Sequence, residues 1–208
     1  MRFRLTQNVI ELTNLLIRHH RYFQATQSMP TIINQNRFSQ LLAENPTRHQ
    51  VAALKNAVAM AGAALSEDFP HLETLFYQSS RDYIDKAERQ EDGSSFQNLE
   101  ILQALLLIIR HEFTETTSTA AAWMTHGRAM RLVKLICFDV MDAKDPSREE
   151  GGLRIPLSSS VSKLEMDERR RTFWIAFNVD FFVSALTNAM PTFQLSKVSI
   201  YLRFCRAN

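Results

Sequence analysis

Apolar residues recur at helical spacing along most of this chain. The pattern starts at Val9, Leu12, Leu15, Leu16 and His19 and stops near Tyr22-Phe23. A polar connector, "QATQSMPTIINQN", follows, with Pro30 as its breaker. The spacing then predicts a short helix over Arg37 to Ala43. Another should open at Pro46-Thr47, where Thr47 and Gln50 fit a capping box. The body of that helix, "HQVAALKNAVAMAGAAL", is rich in alanine, the best helix former. Leu72, Leu75, Phe76, Tyr83, Ile84 and Ala87 mark one face of the next, which should start at Ser66 or Asp68, before Pro70. After the polar "ERQEDGSSFQN", a mostly buried helix is expected from about Phe96 through "NLEILQALLLIIRHEF". Ser118 or Thr119 should cap "AAAWMTHGRAMRLVKLICF". Residues 142–161, with proline, paired glycines and serines, read as an exposed, mobile loop. Ser162-Lys163-Leu164-Glu165 is a second capping-box match and opens a final long helix. Strand-like alternation is weak. The pattern therefore predicts an all-α fold, an irregular multi-helix bundle.

Composition narrows the picture. Of 208 residues, 45% are hydrophobic and 22% charged, enough for one sizeable core. Lys plus Arg is 24 against 22 for Asp plus Glu, a net charge of +2. A protein that coats nucleic acid usually shows its basic face in these totals, and this one does not. Cys137 and Cys205 are too few for a disulfide framework or a cysteine zinc site, which favours a reducing compartment. The longest apolar run, Ala104 to Ile109, is far short of a membrane span, so no membrane partner is expected. The start, "MRFRLTQN", is too polar for a secretory signal. The six histidines never take the His-Glu-x-x-His spacing of a helical zinc site, and no nucleophile elbow, phosphate loop or dinucleotide fingerprint occurs. No catalytic or metal-binding residue is expected, and no cofactor.

The segment "DERRRTFWIAFNVDFF", residues 167–182, carries the sharpest question. Successive residues on a helix project about 100° apart, so Arg169, Arg170 and Arg171 cannot present one phosphate-binding face. Phe173, Trp174, Ile175, Phe177, Val179, Phe181 and Phe182 cover almost the whole circumference, which predicts a core helix. The arginines then lie at its N-terminal turn, where positive charge opposes the helix dipole and Glu165, Asp167 and Glu168 can offset it. Asp180 is the odd residue of this helix. A buried carboxylate needs a partner, and Arg131 is the first expectation, with Arg170 or Arg171 second. Gly127, in the band of Ala120, Trp123, Met124 and Arg131, suggests a close helix crossing.

"AAWMTHGRAMRL", the long loop, then "ERRRTFWIAFNVD" and "MP" resemble the middle homology region of fungal zinc-cluster transcription factors. The matching positions are Ala122, Trp123, Gly127, Ala129 and Arg131, then Glu168, Arg169, Arg170, Arg171, Phe173, Trp174 and Asp180, and finally Pro191. Gln103 and Leu105 fit the preceding helix of that family; Tyr22, Phe23, Pro30 and Ile32 fit its opening. The resemblance covers roughly residues 17–195 and leaves a divergent tail, 196–208. Two positions depart from it: Cys137, within Ile136-Cys137-Phe138-Asp139, stands where the family has a glycine C-cap, and Ala189-Met190 replaces Gly-Arg before the proline.

The resemblance implies a single helical regulatory domain, residues 1–208, of a nuclear transcription factor. It would control transcription through a small-molecule effector, a second copy of the chain or a transcriptional co-regulator. DNA would be reached only through the family's six-cysteine module, absent from this sequence, and zinc would belong to that module. The family's helices beyond Pro191 are also missing, so the chain is expected to be a truncated part of a larger helical domain. The alternative is an interaction-only helical module, a scaffold or dimerisation element with no sensing role.

Overall fold

The computed structural model describes residues 15–27, 31–65, 70–90, 95–115, 119–146, 152–158 and 161–200. Among them it contains seven α-helices and no strand. Helix α1 covers residues 15–25. It is followed by α2 (Gln35–Glu44), α3 (His49–Ala63), α4 (Pro70–Glu88), α5 (Leu99–Glu115), α6 (Thr119–Leu135) and α7 (Lys163–Thr187). Short 3-10 turns occur at Phe138–Val140 and Leu195–Lys197.

Helix α3 sits at the centre, flanked by α2, α4 and α5. Its alanines explain the placement: Ala52, Ala53, Ala57, Ala59 and Ala63 are all buried, and such small side chains let neighbouring helices approach closely. On α4, Ser80 donates its hydroxyl to the Ala53 carbonyl at 2.9 Å. Helix α5 is buried without a break from Leu99 to Ile109, packing on both α3 and α6. Helix α6 in turn carries α7.

The close crossing lies at Gly62, not Gly127. A Cβ on Gly62 would stand 2.0 Å from the Arg18 carbonyl oxygen, so α1 rests backbone-to-backbone on α3. A Cβ on Gly127 would meet nothing within 4 Å, and nothing in the structure explains that glycine.

Side chains cap several helix termini. Asn34 Oδ1 accepts from Arg37 N at 3.0 Å and caps α2, and Asn98 Oδ1 accepts from Ile101 N at 3.1 Å at the head of α5. Ser162 Oγ accepts from Glu165 N at 3.2 Å, as its motif predicts. The Thr47–Gln50 box does not form: α3 starts at His49 with Arg48 as N-cap and no side-chain cap bond. The expected caps at Ser66, Asp68 and Ser118 lie outside the described residues. Cys137 takes the left-handed conformation, φ 62°, and so keeps the geometry of the glycine C-cap without the glycine. Asn188, φ 52°, ends α7 in the same way.

Helix α7 is a core helix on one face only. Phe173, Ala176 and Val183 are fully buried, each large side chain stabilising the fold by about 2 kcal/mol. Phe181 is 58% exposed, and Phe182 and Leu186 are exposed beside it. The expectation of a helix buried all round fails over this last stretch, because no described element covers it.

Candidate functional site

Three polar knots tie α7 to the rest of the bundle, and the signature residues form them. The first surrounds Glu168, whose side chain is 0% exposed. Its Oε1 accepts from the Asn34 amide at 3.0 Å and from Gln103 Nε2 at 2.9 Å, and Arg37 Nη1 lies 3.6 Å from Oε2. Gln103 also donates to the Ile32 carbonyl, while Arg37 pairs with Glu100. One glutamate thus joins the turn before α2, α2 itself, α5 and α7. Burial raises the Glu168 carboxyl above the usual range, and Arg37 with the two amide donors holds part of that rise back.

The arginine triplet makes the second knot. Arg169 donates to the Ser158 carbonyl at 2.7 Å and to Glu165 at 2.8 Å. Arg170 grips Asp142 through Nη2 at 2.6 Å and Nε at 3.1 Å, and Asp167 lies 3.4 Å away. The bidentate bond to Asp142 lifts its pKa above the ordinary guanidinium value. Arg171 is half-buried, with an Nε that has no hydrogen-bond partner among the described residues. Of the carboxylates expected to offset charge at the head of α7, Glu165 and Asp167 meet the arginines, whereas Glu168 turns to Asn34, Gln103 and Arg37; two of the three arginines are engaged internally.

These bonds also hold the connection between α6 and α7. Arg154 grips Asp139 at 2.8 and 3.1 Å, and the Ile155 amide donates to the Leu135 carbonyl at 2.6 Å. The last carbonyls of α6 are thereby satisfied by the segment read as an exposed loop. Exposure holds for Leu153 but not for Arg154.

Asp180 centres the third knot. It is 1% exposed, as its sequence context predicts, but its partner is not arginine. His126 Nε2 lies 3.1 Å from Oδ1, and the Phe193 amide donates to Oδ2 at 3.0 Å. Arg131 is exposed, and Arg170 turns to Asp142. Burial alone would raise the Asp180 carboxyl. The bonds from His126 and the Phe193 amide outweigh it and leave the group below its ordinary value. Half-buried Pro191 lies in the turn that brings Phe193 back, and the Phe193 ring then packs 5.7 Å from that of Phe173. Trp174 stands against Phe173 and Phe177 at 5.3 and 5.5 Å. Trp123 is partly exposed, with its ring 6.0 Å from that of His126. Glu168, Arg169, Arg170, Phe173, Trp174 and Asp180 make these contacts between helices and connecting segments; Gly127, Arg131, Arg171 and the exposed Trp123 do not.

A surface cleft of about 640 Å³ lies between α4 and α6. Four cations line it, Arg81, Arg128, Arg131 and Lys134, together with Glu88. Met124, Phe96, Leu135 and Leu153 supply apolar surface. Sequence reasoning did not assemble this site. The signal was present in part, since Arg128, Arg131 and Lys134 follow at steps of three on one helix face. Among the described residues no group of three or more His, Cys, Asp or Glu could hold a metal, and no helix is long and apolar enough to cross a membrane.

The family described as "Fungal specific transcription factor domain" matches residues 19–204. The chain is 30% identical over 164 residues to the pigment biosynthesis transcriptional activator pigB of Monascus ruber, covering 78% of this chain and 28% of that protein. It is 32% identical over 194 residues to the depudecin biosynthesis cluster-specific transcription activator DEP6 of Fusarium langsethiae, covering 90% and 31%. Against the citrinin biosynthesis transcriptional activator ctnR of Monascus purpureus it is 28% identical over 167 residues, covering 80% and 27%. The chain thus spans less than a third of the length of these relatives. No solved structure matches it. With the match running from the last turns of α1 to beyond the Phe193 turn, the chain belongs to the fungal-specific transcription factor domain family.

Proposed function

We propose that this chain is the regulatory domain of a fungal nuclear transcription factor, controlling transcription without contacting DNA and without catalysing a reaction. The observation that carries the first exclusion is the fate of the arginine triplet. Arg169 and Arg170 spend their donors on Ser158, Glu165, Asp142 and Asp167, so the basic run offers no open phosphate-binding face. DNA contact, and the zinc that the resemblance associates with it, would belong to a separate module of the regulator. The relatives' names refer to biosynthesis pathways or clusters, which supports a target set of that kind. Sensing of a small molecule or a partner is supported by the mixed cationic and apolar cleft between α4 and α6.

A second reading, an interaction-only module, is favoured by Phe181, Phe182 and Leu186, exposed in the last turns of α7, and by Met190, exposed just beyond it. The two readings part in a reporter assay. Fused between a heterologous DNA-binding domain and an activation domain, the 208-residue chain should lower reporter output, and an effector should relieve that. Unchanged output with constitutive self-association would favour the interaction-only module. Anisotropy titrations of the isolated chain with duplex DNA at about 150 mM salt should give weak, sequence-indifferent, steeply salt-dependent binding. A nanomolar, sequence-selective complex would refute the exclusion of DNA contact.

A further inference from the structure

Met124, Arg128, Arg131 and Leu135 follow one another on α6 at steps of four, three and four, which places them on one face of the helix. All four line the cleft. Its cations are not equivalent. Arg81 pairs with Glu112, and Arg128 pairs with Asp85 at 2.9 Å and with Glu88. Arg131 and Lys134 pair with no carboxylate among the described residues, although the Lys134 ammonium also lies 5.9 Å from the centre of the Phe193 ring. The cleft therefore keeps two cations without a carboxylate partner, one helical turn apart, of which Arg131 is the one exposed. Beside that charge stand two large apolar side chains open to water, Met124 at 69% exposure and Leu153 at 75%. Phe96 adds an aromatic surface, with the Arg128 guanidinium 5.4 Å from its ring centre.

Uncovered hydrocarbon next to unpaired cations has one chemical complement, a molecule with an apolar body and an anionic group. The volume, about 640 Å³, falls within the roughly 300–1,000 Å³ typical of small-molecule sites. A docked helix would need apolar anchors over several turns, and here the apolar lining is interrupted by the Arg128–Glu88 bridge. We propose that the cleft between α4 and α6 binds an apolar organic acid, its hydrocarbon body against Met124, Phe96 and Leu153 and its acid group at Arg131 and Lys134. The proposal deepens the sensing reading above and rests on that reading for its regulatory consequence.

The test uses two fluorescent probes that differ by a single anionic group. 1-Anilinonaphthalene-8-sulfonate has an aromatic body and a sulfonate; N-phenyl-1-naphthylamine has the same rings and no charge. The 208-residue chain should bind the sulfonate probe saturably at one site and the neutral probe at least about tenfold more weakly. R131Q/K134Q should weaken the sulfonate probe by about tenfold or more and leave the neutral probe unchanged. Leu153→Ser should weaken both. Phe181→Ser/Phe182→Ser removes the other exposed apolar patch and should leave both affinities unchanged. Circular dichroism melts with unaltered midpoints establish that each variant is folded.

Equal affinity for the two probes, or binding insensitive to R131Q/K134Q, would overturn the proposal. So would loss of probe binding in the Phe181/Phe182 variant, which would move the site to α7. Displacement of the sulfonate probe by an acidic amphipathic peptide, where simple aromatic carboxylic acids fail, would replace the organic acid with a protein partner. The titration reads the site, and the reporter fusion reads the regulation. A variant-sensitive probe site in a fusion that leaves the reporter unchanged would sink the regulatory reading alone. A fusion that controls the reporter while its probe binding ignores R131Q/K134Q would sink the site alone.

Discussion

Acidification from neutral pH toward pH 4 should loosen the seat of α1 on α3 through one histidine. His19 is buried, its ring 4.9 Å from that of Phe38, and its Nε2 lies 3.0 Å from the Lys55 carbonyl oxygen. A carbonyl only accepts, so Nε2 carries the proton of a neutral ring, and the second nitrogen can charge only inside the core. Desolvation is the larger cause, partly opposed by the Lys55 carbonyl bond and reinforced by the Lys55 charge; together they lower the pKa from 6.5 to about 4. The unfolded chain therefore takes up this proton near pH 6.5, and the folded chain only near pH 4. His19 stabilises the fold fully above about pH 6.5, and that contribution falls as pH drops toward 4, below which it stays flat. At about 1.4 kcal/mol per pH unit, the whole loss is about 3 kcal/mol. Urea unfolding of the wild type and of His19→Gln at intervals from pH 7.5 to 3.5 checks this, because the remaining titrating groups cancel in the difference. Wild-type stability should fall relative to the variant by about 3 kcal/mol across that window. A difference that stays constant from pH 7 to 4 would refute the assignment of His19 as a buried neutral ring.

The two helical glycines should respond oppositely. Gly62→Ala should destabilise by about 3 kcal/mol or detach α1, because the new Cβ meets backbone; Gly127→Ala should stabilise by about 0.5–1 kcal/mol from helix propensity. Thermal melts of both variants decide it, and equal effects would show the α1–α3 crossing to be wrong. Asp180→Ala should cost about 3 kcal/mol in urea unfolding, because it strands the His126 and Phe193 donors, whereas Asp180→Asn should cost less, since its carbonyl can still accept from Phe193. For Arg170 and Asp142, a double-mutant cycle with Arg170→Met and Asp142→Ala should return a coupling of about 1–2 kcal/mol; no measurable coupling would mean that the pair does not hold the α6–α7 connection.

Long-range bonding, rather than local pattern, separates what the sequence disclosed from what it hid. Helices α3, α5 and α7 were legible because apolar spacing and alanine content act locally. The need of Asp180 for a partner was legible too, from one carboxylate among aromatic residues. Its partner was not. His126 and Arg131 lie five positions apart on α6, about 140° around the helix, so the choice depends on how α6 is rotated against α7. The same limit explains the glycines, since propensity gives Gly62 and Gly127 the same cost and only the crossing of α1 distinguishes them. At Cys137 the glycine of the resemblance is gone, yet the left-handed geometry persists. Closure of α6 by Ile155 and the Arg154–Asp139 bridge accompanies that conformation, and such neighbours can hold a strained residue in place.

The placement of the signature residues bears on where individuality resides in this domain. Glu168, Arg169, Arg170, Phe173 and Asp180 point into knots that join α7 to α5, α6 and the two connecting segments. Altering them would change whether the helices dock before it changed what the domain recognises. On the proposed sensing role, recognition would fall to side chains that the frame presents but does not need, of which Arg131 is the instructive case. It belongs to the signature stretch of α6 and shares its helix with His126, yet it is exposed and lines the cleft. In the sequence alone its charge is the natural answer to a buried carboxylate. Since that carboxylate is satisfied by His126 and a backbone amide, the charge on Arg131 is available to something outside the fold.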